Sequence, residues 1–93
     1  MKTMIDILRE RLPKGLEIVK VQNKSNNSQY LIHFSYEGIE TVGWLYKTCA
    51  PGCAEKNCDF VICSTMMSIG LKRKDLDMCD FWMKKQQEAF ELE

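Results

Sequence analysis

The feature that most constrains this chain is a short alternating run in which Tyr30, Ile32, Phe34 and Tyr36 are separated by Leu31, His33 and Ser35. Successive strand side chains point to opposite faces, so a period of two carrying rings and branched residues commits the segment to β-structure. Glu37-Gly38 follows as the turn, and a third strand runs from Ile39 or Glu40 to about Lys47.

Two registers are open to this hairpin. A two-residue loop at Glu37-Gly38 pairs Tyr36 with Ile39, and Leu31, His33, Val42, Trp44 and Tyr46 then share a face opposite Tyr30, Ile32 and Phe34. Both faces would be apolar. A type I turn with a glycine bulge at Gly38 pairs Ser35 with Ile39 instead, and gathers Tyr30, Ile32, Phe34, Val42, Trp44 and Tyr46 on one side. The bulged register is preferred because it gives a one-sided sheet a single buried face, which makes the aromatic residues core. The other register would leave them as a recognition surface.

The remaining elements fall around the hairpin. Met4 to Leu12 reads as a helix, with Thr3 as N-cap, Asp6 facing free amides, and Met4, Ile5, Leu8 and Leu12 as an apolar stripe. Pro13 and Gly15 end it. Leu16 to Val21 reads as a strand with apolar residues on both faces, the mark of a central strand or a bulge. The polar run Asn23 to Ser28 is the expected mobile loop. An apolar segment from about Asp59 to Ile69 reads as a buried helix ending at Gly70 and capped by Asn57 or Asp59; a strand over Phe60 to Cys63 is the competing reading. Asp75 caps a last helix to about Phe90. Its stripe of Leu76, Cys79, Met83 and Phe90, widened by Met78, Phe81 and Trp82, is expected to dock on the sheet. The expectation is an α+β fold: a three-stranded antiparallel meander, with an N-terminal helix and two C-terminal helices packed on one face.

Ninety-three residues make one domain, 1–93, able to bury roughly 60 to 65 per cent of its unfolded surface. The hydrophobic share of 45% and charged share of 28% exclude the composition of a disordered chain. Thirteen basic and thirteen acidic residues balance, which argues against nucleic acid or an anionic membrane as partner and favours self-association as a homodimer. No signal peptide is visible, and the apolar run Phe60 to Leu71 is too short to span a bilayer, so a cytosolic location is expected.

Five cysteines in a reducing compartment point to buried thiols, metal or redox chemistry rather than a disulfide scaffold. Cys49 and Cys53 have the spacing of a zinc knuckle, with Pro51 and Gly52 as its turn, and Cys58 is a third candidate ligand, with His33 or Cys79 as the fourth. Cys58 and Cys63 on one helix would point about 140° apart and cannot both chelate. The preferred reading is that the thiols are mostly buried small hydrophobes, Cys63 and Cys79 above all, and no cofactor is required. Cys49 and Cys53 lack the two-residue spacing of thioredoxin-like redox motifs.

His33, the sole histidine, lies near no nucleophile motif, and no paired carboxylates or phosphate loop can be assigned, so an enzyme is not expected. Lys72, Arg73 and Lys74 raise a helix-turn-helix reading, but Asp75, Asp77 and Asp80 would stand where phosphates must lie. A solvated connector near a helix carboxyl terminus is preferred.

In its order of one helix, a three-stranded antiparallel meander and trailing helices, the chain resembles the double-stranded RNA-binding domain and certain small phage-encoded inhibitors, including an anti-CRISPR protein. The resemblance is of topology and carries over no site residue. It lacks the lysine-rich helix start of the RNA-binding domain. The expected function is a non-enzymatic protein-binding or regulatory module, an accessory protein of a phage or mobile element, acting through a surface. The alternative is a small zinc-binding module that touches nucleic acid through Lys72 to Lys74.

Overall fold

The structure is a computed structural model describing residues 2–50 and 52–91, with the side chains of 89–91 outside the described set. Pro51 of the expected knuckle turn and the side chain of Phe90 therefore lie outside the described residues.

Six elements follow in chain order: α1 (Met4–Arg11), β1 (Leu16–Gln22), β2 (Gln29–Tyr36), β3 (Ile39–Tyr46), α2 (Ala54–Lys72) and α3 (Leu76–Glu91). The strands form one antiparallel sheet in the order β1-β2-β3. The α+β meander expected from the sequence is the observed fold. Helix α1 starts in a full capping box, with the Thr3 hydroxyl accepting from Asp6 N–H and the Asp6 carboxylate accepting from Thr3 N–H. Strand β1 has apolar residues on both sides because its register shifts between Ile18 and Lys20; it is a bulged edge strand, not a central one.

The hairpin register corrects the preferred expectation. Tyr36 pairs with Ile39, Phe34 with Thr41, Ile32 with Gly43 and Tyr30 with Leu45. Glu37 and Gly38 both have positive φ, 48° and 83°, the signature of a type I′ turn whose twist matches that of the strands it joins. Glutamate is an uncommon occupant of that position, and its carboxylate is held by the Arg73 guanidinium at 2.7 Å. The register puts Ile32, Phe34 and Leu45 inside, with the small residues Thr41 and Gly43 between them. The other pairing would have driven Val42, Trp44 and Tyr46 against the helix.

Helix α2 is the central buried element, and it differs from expectation at both ends. It begins at Ala54, with Asn57 and Asp59 inside it, and Cys53 as an N-cap that makes no side-chain bond. It runs through Gly70, which serves as a helix contact: a Cβ there would lie 2.8 Å from Cys79 Sγ. The helix stops at Lys72 in a Schellman-type closure, with Lys74 left-handed at φ 57°, its N–H donating to Leu71 O and Asp75 N–H donating to Gly70 O. Asp75 then caps α3, its carboxylate accepting from Met78 N–H at 3.1 Å.

Helix α3 packs on α2 and not on the sheet as expected. Met78 and Trp82 reach the core cluster, whereas Leu76, Phe81 and Met83 are exposed. The helices thus cover one face of the sheet in two tiers. Met4 and Leu8 of α1, Leu16, Ile32, Phe34 and Leu45 of the sheet, and Cys58, Val61, Ile62, Met66 and Ile69 of α2 form the core.

Candidate protein-interaction surface

Among the described residues, the opposite face of the sheet bears no helix. In the observed register it carries Lys20 and Gln22 from β1, Gln29, Leu31, His33 and Ser35 from β2, and Glu40, Val42, Trp44 and Tyr46 from β3. Cross-strand pairs on this face set Leu31 beside Trp44, His33 beside Val42 and Gln29 beside Tyr46. Val42, Trp44 and Tyr46 are 51%, 48% and 52% exposed. An apolar patch therefore occupies the β3 half of the face and a polar strip the β1 half. His33 sits at the border, its Nε2 3.2 Å from Gln22 Oε1. It is a half-buried strand residue with a neutral partner.

Round the edge of β3 the patch continues into a groove of about 390 Å³ between that strand and α2. Trp44 and Tyr46 line one side, and Phe60, Ser64 and Ser68 of α2 the other. The groove exists because α2 approaches β3 closely at Gly43, where a Cβ would lie 3.2 Å from the Phe34 ring, 3.3 Å from Thr65 Oγ1 and 3.4 Å from Val61 Cγ1. That tight packing leaves the Thr65 hydroxyl buried without a hydrogen-bond partner, at a cost of about 1–3 kcal/mol. The groove was not anticipated. Its sequence signals are a glycine in mid-strand and serines four apart, Ser64 and Ser68, in the mostly apolar stretch Phe60 to Leu71 of α2.

The basic connector also has a specific role. Lys72 Nζ donates to Glu40 O at 2.6 Å and Arg73 bonds Glu37, so the end of α2 is tied to the hairpin. The connector is solvent-exposed, as expected, and in addition braces the helix to the sheet.

The five thiols are free and dispersed. Cys49 Sγ lies 3.9 Å from Met4 Sδ and Cys58 Sγ donates to Met4 O at 3.8 Å, so these two share the environment of α1. Cys53 is exposed, Cys79 Sγ donates to Met67 O between α2 and α3, and His33 projects from the helix-free face. Among the described residues no three His, Cys, Asp or Glu side chains converge as metal ligands do. Burial, reinforced by the Asp59 carboxylate, pushes the Cys58 thiol up to about 11, and the same causes in the same order raise Cys63. Such thiols stay protonated near neutrality, poor as nucleophiles and as ligands.

No helix among the described residues is long and apolar enough to cross a membrane. The sequence matches no protein-family model, no curated protein and no solved structure.

Proposed function

We propose that this chain is a non-enzymatic protein-binding or regulatory module that engages a protein partner through the helix-free face of its sheet. The observation that carries this reading is the half-exposed trio Val42, Trp44 and Tyr46 on a rigid strand, with Leu31 beside them. Large rings left in water on regular structure are enriched where proteins meet, because they bury much apolar area with little loss of side-chain freedom. The polar border of Lys20, Gln22 and His33 suits the rim of such a contact. A formal charge of zero supports a protein partner over nucleic acid. The element order shared with small phage-encoded inhibitors supports, by topology, a role as an accessory or inhibitor protein of a phage or mobile element.

The test is capture from a lysate of the source cell with the wild-type chain and with Trp44→Ser, followed by crosslink mapping. The expected result is a stoichiometric protein held by the wild type, lost in the variant and crosslinked to β2 or β3. Equal recovery by both chains, or no stoichiometric partner, refutes the reading.

A further inference from the structure

The two edges of the sheet are built differently. Strand β1 carries Glu17 and Lys20 and is broken by a bulge at Val19, devices that discourage another strand from pairing. Strand β3 has no bulge, since its register with β2 is unbroken, and its one charge, Glu40, lies beside the turn, leaving Thr41 to Tyr46 uncharged. A long, regular, uncharged edge is a template for strand addition.

The hydrogen-bond parity of β3 is fixed at both ends. Tyr36 and Ile39 close the two-residue turn, and Lys47 N–H donates to Ser28 O, so the odd-numbered residues bond inward to β2. Val42, Trp44 and Tyr46 aim their N–H and C=O groups outward, where no further strand lies among the described residues. Glu40, whose carbonyl would be next in the row, is already engaged by Lys72 Nζ.

We infer that the β3 edges of two copies pair antiparallel about a two-fold axis near Gly43, joining the sheets into one of six strands. A closed two-fold contact must be complementary to itself, and this edge is. Pairing centred on Gly43 sets Val42 opposite Trp44 of the second copy, both on the helix-free face. On α2 the residues against Gly43 are Val61 and Thr65, so the same axis passes close to Ser64, which stands four residues from Phe60 and four from Ser68. The exposed Phe60 ring of one copy then meets the groove space beside the small Ser68 of its mate. The Glu40 end of one strand also meets the Lys47 end of the other.

The half-exposed Val42, Trp44, Tyr46 and Phe60 side chains hold roughly 350 Å² of accessible surface per copy, of which edge pairing buries only the part turned toward the mate, against the ~800 Å² per partner typical of a stable interface. The strand edge, Ser64 and Ser68 add to it. Because the contact uses the edge, it stands apart from the partner reading above; it would set two Trp44 patches side by side on one continuous face.

Sedimentation velocity of the full chain over a concentration series tests the inference, with Val42→Pro and Phe60→Lys as variants. Proline at position 42 deletes only an outward N–H and is tolerated on an edge strand. Lysine at position 60 charges the α2 flank without touching the sheet. The expected result is a wild-type species of twice the 10.9 kDa chain mass, with each variant weakening dimerisation by at least about tenfold while circular dichroism stays native. Should Val42→Pro not fold, Phe60→Lys alone decides. A wild-type chain that remains monomeric up to about 1 mM overturns the proposal, leaving the edge to another protein's strand. A dimer that withstands Phe60→Lys overturns it as well. A monomer that still captures a partner through Trp44 would refute the dimer and leave the face reading intact.

Discussion

Gly43→Val reads out the register of the hairpin and the closeness of α2 in one substitution. In the observed pairing position 43 points at the helix, where even a single Cβ meets the Phe34 ring, Thr65 Oγ1 and Val61 Cγ1 at 3.2 to 3.4 Å. Phe34 is fully buried and Thr65 nearly so, which leaves neither room to step aside. Valine adds two methyl groups beyond that point, and overpacking of this kind costs about 1–3 kcal/mol. Replacing glycine in a strand returns roughly 0.5–1 kcal/mol through the unfolded state. The net expectation is a loss of about 1–2 kcal/mol, or a fall in Tm of roughly 5–15 °C for a domain of this size. Thermal and urea unfolding followed by far-ultraviolet circular dichroism measure it. Had the bulged register formed, position 43 would face water, and a β-branched residue there would stabilise by up to about 1 kcal/mol. A Tm equal to or above that of the wild type therefore refutes both the register and the helix–strand contact at Gly43.

Glu37→Asn places the favoured Asn-Gly pair in the type I′ turn; the relieved backbone strain outweighs the loss of a partly exposed ion pair to Arg73, and chemical denaturation should show a gain of about 0.5 kcal/mol. A colorimetric thiol reagent should modify Cys53 at once and Cys58 and Cys63 only on unfolding, judged by the rate at each cysteine in single Cys→Ala variants. Because Cys58 is raised to about 11 in the folded chain, the unfolded thiol ionises first. Stability is then fully present below about pH 9 and falls as the pH climbs through 11, by on the order of 2 kcal/mol from Cys58, a slope that Cys58→Ala reduces and that Cys63, raised in the same direction, continues to contribute to. Elemental analysis of chain purified without chelator should find only trace zinc, and a chelator should leave Tm unchanged; a full equivalent of zinc would establish the metal reading instead.

Local chemistry made the element order readable. The Thr3 and Asp6 capping box, the Asp75 cap, and the alternation from Tyr30 to Tyr36 each act within a few residues of one another, and each folds as its spacing implies. The bulge in β1 was likewise foreshadowed by apolar residues that obey neither face. What failed depends on contacts distant in sequence. Gly70 resembles a helix stop until Cys79 is set against it, and the apolar positions of α3 do not reveal whether a sheet or a helix receives them. The candidate thiol ligands looked grouped because they are close along the chain, but α2 buries Cys58 beside Met4 while Cys53 stays outside on the preceding loop.

The hairpin shows how little separates a core from a surface in this chain. Shifting the partner of Ile39 from Tyr36 to Ser35 moves every residue of β3 to the other side, since side chains alternate with a period of two. Pattern alone favours the bulged pairing, because it gathers the most rings on one face. The volume available under the sheet favours the other, because α2 approaches so closely at Gly43 that only small residues fit beneath that part of β3. Packing density decides between them, as interiors tolerate neither voids nor overlap on the scale of an indole. Helix α2 therefore selects the inner set Thr41, Gly43 and Leu45, and with the same choice it expels Val42, Trp44 and Tyr46. The aromatic patch follows from a steric requirement of the core, and a partner that covers it regains part of the apolar burial the fold itself forgoes.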